Sequence, residues 1–240
     1  IWIVVLSNLG WGLGYFGQPH ILTRFMAIKN SGMIKKSTRI AITWVVFSLF
    51  ASIVVGIVGR VFFADGIADP ESVFLLLANA NFHPIIAGIM LAAILAAVMS
   101  TADSQLLVTS SSVSEDMYRI LSKKNIGDSK LLKISRFSVL LVALVSIVIA
   151  WDPNNSVLNL VAYAWAGFGA TFGPLIILSL YWKRMNKTGA IASIIAGAIT
   201  VLIWNRLTGG IFDLYEIIPG FIISFGSGIF FSLFGEKLGK

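Results

Sequence analysis

The sequence predicts an all-α integral membrane protein with about seven transmembrane helices. Composition comes first: 57% of the residues are hydrophobic and 12% are charged, with a mean hydropathy of +0.89, whereas a soluble domain carries about 25% charged residues. Second, the apolar residues fall in long continuous runs without strand-like alternation, which implies helices and excludes a β-barrel. Third, basic residues cluster after every second run, as they do when a chain crosses a bilayer repeatedly.

Seven apolar segments can be counted, at about 1–23, 40–63, 84–113, 134–151, 153–182, 188–205 and 217–235. Most reach the roughly 20 residues that a bilayer core requires. The short run 134–151 gains length because Lys133 and Arg136 can reach back to the headgroups. Basic residues follow the first, third, fifth and seventh segments, and sixteen of the eighteen lie on that side, leaving Arg60 and Arg206 on the other. The crowded side is expected to be cytoplasmic, so Ile1 is external and Lys240 internal. The formal charge of +7 is therefore an orientation signal and no nucleic-acid surface is expected. Absence of cysteine excludes disulfides and thiolate metal sites. With two histidines, no nucleotide-binding loop and no serine near a credible base, the chain does not read as an enzyme.

The first segment is unusual. Uncharged from Ile1 to Thr23, it contains Gly10, Gly12, Gly14, Gly17 and Pro19, residues that destabilise a helix interior. The expectation is a membrane helix broken near residues 10–19, of the kind tolerated only where it is buried in protein or lines a cavity. Its freed peptide groups, with Trp11 and Tyr15 one turn apart, would form a small polar and aromatic binding site. Between the second and third segments, Asp69-Pro70-Glu71 reads as an N-cap, a proline at the first helical position and an acid in the first turn. A short external helix through Phe74–Leu77 should follow, acting as a lid or as packing. The internal connection 114–130 should extend the third helix and end near Asn125-Ile126-Gly127.

The third segment becomes rich in hydroxyls, and Ala97, Ser100, Thr101 and Ser104 share one helical face. By residue type alone these read first as helix contacts and back-bonding groups. The second reading is part of a cage for a hard cation, with oxygens from Ser100, Thr101 and the Ala97 carbonyl. Asp103 is the one acid inside a segment. It points about 110° away from that face, which suits the inner exit or a basic partner better than direct cation contact. The fifth segment, with Tyr163-Ala164-Trp165-Ala166-Gly167-Phe168-Gly169 and Gly173-Pro174, reads as a second interrupted span, and a pair of such interruptions points to a transporter site. Close packing explains it equally well.

Together, Gly12-Leu13-Gly14-Tyr15-Phe16-Gly17-Gln18-Pro19-His20, Met99-Ser100-Thr101-Ala102-Asp103-Ser104-Gln105-Leu106-Leu107 and Tyr163 through Gly169 resemble the sodium/solute symporter family, in particular its bacterial sodium/proline branch. Ser179-Leu180 through Arg184, Gly189-Ala190 and Gly197 resemble a further signature of that family. The resemblance covers essentially the whole chain. It implies a LeuT-type core of two inverted five-helix repeats, with residues 1–182 as the second repeat, 183–240 as two additional helices, and the first repeat outside this sequence. It also implies sodium binding by Ala97 through its carbonyl, Ser100 and Thr101, and substrate binding by Trp11, Tyr15 and Pro19. The missing N-terminal half would complete both sites.

The expected function is sodium-coupled uptake of a small solute, L-proline, by alternating access in the bacterial inner membrane. Sodium is the coupling ion and no cofactor is implied. Two alternatives stay open. One is a sodium symporter for another amino acid, a sugar or a vitamin. The other is the membrane input module of a solute-sensing signalling protein, which a signalling domain after Lys240 would favour.

Overall fold

A computed structural model describes residues 1–122, 127–151 and 156–238, with side chains as far as Phe234. The described residues form helices and connections, with no strand among them. In chain order the helices are α1 (Trp2–Gly14), α2 (Pro19–Met26), α3 (Gly32–Phe62), α4 (Val73–Asn81), α5 (Pro84–Ser111), α6 (Arg119–Ser122), α7 (Asp128–Ala150), α8 (Val157–Tyr181), α9 (Lys187–Trp204) and α10 (Ile217–Leu238). Among the described residues, six continuous helical stretches are long and apolar enough to cross a membrane. The first apolar segment is instead divided into pieces of 13 and 8 residues, neither of which spans alone.

The break is narrower than the glycine pattern suggests. Gly10, Gly12 and Gly14 lie within regular helix, and the interruption is a 3-10 turn over Tyr15–Gly17 followed by Gln18 in extended conformation. Pro19 does not clash with a preceding turn, because it opens α2, where its missing N–H has no helical partner to lose. Gly10, Gly14 and Gly17 serve close approach, while Gly12 faces open space. A Cβ at Gly10 would stand 2.9 Å from Ile218, and one at Gly17 would stand 2.8 Å from the Gly169 Cα.

Several helices exceed the apolar runs that announce them. α3 starts at Gly32, eight residues before the expected segment, because the basic turn Lys35–Arg39 is helical as well. α7 likewise starts at Asp128, whose carboxylate suits a helix N-terminus. α5 continues through a wide π-helical turn, Ser112–Tyr118, into α6. Asn125 and Ile126, at the expected end of this extension, fall outside the described residues. The external connection follows its sequence: Asp69 Oδ1 accepts from the Glu71 N–H at 3.0 Å, a 3-10 turn covers Pro70–Ser72, and α4 follows.

The chain divides into two compact units, residues 1–26 with 143–240, and residues 27–142. In the second, α4 packs on α3, where Gly59 makes room for Val73. Gly59 is the one buried residue of α3, and a helix so apolar and so exposed requires hydrocarbon or another protein surface.

The first unit carries the densest packing. α8, α9 and α10 contact one another, and α1 lies on α8 and α10. Ala166, Ala170, Val201 and Ile217 form the buried cluster. Pro174, buried inside α8, does not break the helix, which corrects the expectation of a second interruption. Its ring removes the N–H that would bond the Ala170 carbonyl, and Gly197 brings the α9 backbone directly against that carbonyl. Between α9 and α10 the fully buried Ser193 and Ser224 hydroxyls stand 2.9 Å apart, and Ser224 Oγ also lies 2.9 Å from the Ser193 carbonyl. Ser224→Ala strands the Ser193 hydroxyl and is expected to cost about 1–2 kcal/mol, measured as a lower thermal midpoint in detergent. The double alanine variant should lose less than the two single losses combined.

Candidate functional site

The site in the first unit is assembled where α1 ends. The last four carbonyls of a helix have no partner within it, and Trp11 carries one of them. Its carbonyl accepts from the Trp165 indole N–H of α8 at 3.0 Å. The Gln18 side-chain amide, buried in the break, donates to the Trp165 carbonyl at 3.3 Å. One residue of α8 therefore holds both sides of the interruption. Gly14 lies directly against the Trp165 indole, with no room for a side chain.

Aromatic rings cover this junction. Tyr15 meets Trp165 edge-on with centroids 5.0 Å apart, and Trp11 lies 6.1 Å from Trp165. One face of Trp11 stacks on Tyr215, at 5.6 Å and 29°. Tyr15 is 55% exposed and has ring surface to offer a ligand. Trp11 is half-buried and its orientation is fixed by its neighbours, while Pro19 is half-buried at the start of α2. Trp11 and Tyr215 also line a cavity of about 610 Å³ together with Ser7, Asn8, Asn159 and Glu216. The Tyr215 hydroxyl donates to the Ala162 carbonyl at 2.7 Å. Burial, and secondarily the Glu216 carboxylate, raise its pKa above the ordinary phenol value, so it stays a neutral donor.

Ala97, Ser100 and Thr101 lie on α5 in the second unit, all exposed. Thr101 Oγ1 donates to the Ala97 carbonyl at 3.2 Å, and Ser104 Oγ donates to the Ser100 carbonyl at 2.9 Å. These are the back-bonds that the hydroxyl pattern led one to expect. They do not exclude a cation. A donating hydroxyl keeps its lone pairs, and two oxygens 3.2 Å apart match neighbouring ligands around a hard cation bound at about 2.3–2.6 Å. Asp103 is exposed on the same helix and has no ion pair among the described residues.

Sequence reasoning named Trp11, Tyr15 and Pro19 but missed Gln18 and Tyr215 and assigned Trp165 no role. Gln18 and Trp165 lie within the quoted motifs, and an amide side chain beside a proline in an uncharged run was the available signal. Tyr215 follows an ordinary connection, and nothing local marks it.

The profile of the sodium:solute symporter family matches residues 3–197. The chain is 47% identical to the osmoregulated proline transporter OpuE of Bacillus subtilis, an alignment that covers 99% of this chain and 49% of the relative. It is 49% identical to the high-affinity proline transporter PutP of the same organism, over 95% of this chain and 49% of that protein. With sodium/proline symporter 2 of Staphylococcus saprophyticus it shares 47% identity over 98% of this chain and 48% of the relative. The chain thus spans about half the length of these curated relatives. No solved structure matches it. With its helical spans, this is a multi-pass membrane protein, and it belongs to the sodium:solute symporter family.

Proposed function

We propose that the chain is the C-terminal portion of a sodium-coupled symporter that takes up L-proline across a bacterial plasma membrane by alternating access. The carrying observation is the break at Tyr15–Gln18, where a membrane segment gives up helical bonds and sets Tyr15 and Trp11 against Trp165 with the Tyr15 ring half exposed. Identity of 47–49% to relatives named as proline transporters supports the substrate. Tyr15 and Trp11 take the solute, and Pro19 shapes the gap. Ala97 through its carbonyl, Ser100 and Thr101 take sodium. Residues 1–182 form the second repeat, residues 183–240 the additional helices, and the N-terminal half of the polypeptide completes both sites. Residue 1 is external and residue 240 cytoplasmic, in keeping with the basic residues.

In this mechanism sodium stabilises an outward-open state with a formed solute site, and both ligands together permit closure and inward release. One sodium moving through about 100 mV supplies about 2.3 kcal/mol, and a tenfold concentration ratio adds about 1.4 kcal/mol. Together they sustain accumulation on the order of several hundredfold.

Radiolabelled proline uptake into vesicles containing the intact transporter tests the reading. Uptake should require an inward sodium gradient and resist competition by sugars and vitamins. Sodium-independent uptake would remove the coupling, and stronger competition by another solute would reassign the substrate. Tyr15→Ala is expected to raise the KM for proline about five- to tenfold, a loss of about 1 kcal/mol of aromatic contact, with a smaller effect on maximal rate per transporter.

A further inference from the structure

We propose that Tyr215, in the connection leading into α10, is a positioning residue for the solute site and holds Trp11 in its binding orientation. This rests on the reading that Trp11 contacts solute.

Tyr215 ties two elements at once. Its N–H donates to Ser7 Oγ at 3.0 Å and its ring stacks on Trp11 at 5.6 Å. Ser7 and Trp11 are four residues apart, so both contacts fall on one face of α1. Its hydroxyl donates to the Ala162 carbonyl at 2.7 Å, one turn of α8 from Trp165, whose indole holds the Trp11 carbonyl at 3.0 Å. The Trp11 ring is thus fixed by Tyr215 and its backbone by Trp165.

The base that carries Tyr215 is itself rigid. The Trp204 indole donates to the Leu214 carbonyl at 2.9 Å, Asp213 Oδ1 accepts from the Gly209 N–H at 2.8 Å, and Ile217 is fully buried. A residue between the last two helices therefore sets the geometry of a site that belongs to the broken span. Those helices contribute to solute affinity, beyond simple packing.

The test measures proline KM, maximal rate and the amount of transporter in the membrane for Tyr215→Leu, Tyr215→Phe, Ser7→Ala and Trp11→Ala in the intact protein. Tyr215→Leu should raise KM about tenfold with maximal rate per transporter nearly kept. Tyr215→Phe, which retains the stack and loses one hydrogen bond, should bring KM back to two- to threefold above wild type. In a Trp11→Ala background, Tyr215→Leu should change KM little further, because the partner it positions is gone.

A KM within twofold of wild type for Tyr215→Leu overturns the proposal, as does a loss confined to transporter amount. An equal rise in the Trp11→Ala background also overturns it. Should the leucine variant not reach the membrane, Ser7→Ala decides: a two- to threefold higher KM supports the positioning role and an unchanged KM overturns it. If Trp11→Ala itself leaves KM unchanged, the assignment of the solute site has failed, which is a different result from failure of Tyr215 alone.

Discussion

Gly17→Ala is expected to reduce proline uptake by the intact transporter at least tenfold, whereas Gly12→Ala should leave it near wild type. A methyl at Gly17 would collide with the α8 backbone at Phe168 and Gly169, 2.8 Å from the Gly169 Cα, while one at Gly12 meets nothing within 4 Å. Side chains can step aside for an added carbon, but the backbone of a packed helix does so only by shifting as a whole. Overpacking of this kind costs about 1–3 kcal/mol or more. Here the displaced element is the turn of the proposed solute site, so the loss should fall on function as well as stability. Uptake and thermal stability of both variants check the contrast. If Gly17→Ala transports normally, the close approach of the break to α8 is not what shapes the site.

Thr101→Ala is expected to raise the sodium concentration for half-maximal uptake ten- to hundredfold, with Thr101→Ser close to wild type. The estimate follows from losing one oxygen contact to a charged partner, worth about 1.5–3 kcal/mol. A threonine that serves only as packing would tolerate alanine with an unchanged sodium dependence. Because the Thr101 hydroxyl lies 3.2 Å from the Ala97 carbonyl, its removal takes away one proposed sodium ligand and frees the other from its back-bond. Coupling between two ligands is reciprocal. At low fixed sodium the variant should therefore also show weaker proline binding, and equilibrium binding at several sodium concentrations measures this. Unaltered sodium dependence in Thr101→Ala would return the α5 hydroxyl face to a packing role.

Much of the fold was legible because its signals are local. The length of an apolar run, a proline at a first helical turn and Asp69 before Pro70 each act within a few residues; the Asp69 cap formed where expected, and helices formed over the apolar runs, some of them starting earlier. Glycine was less readable, since the same residue serves a break, a close approach or neither. Gly12 meets open space, Gly10 admits Ile218, and Gly17 admits the α8 backbone. Pro174 misled for a related reason. Sequence shows the lost helical bond but not the glycine of a neighbouring helix that comes against the freed carbonyl.

The sequence by itself determined that the chain crosses a membrane, that its first span is interrupted and which family signatures it carries, because hydropathy, helix-breaking residues and motifs are properties of short stretches. Only the tertiary structure decided that Trp165 holds both sides of the interruption and that Tyr215 stacks on Trp11. Those partners are 147 or more residues from the break they support. A hydrogen-bond donor selects an acceptor by distance in space, and folding brings this pair together through the packing of α8 and α10 on α1.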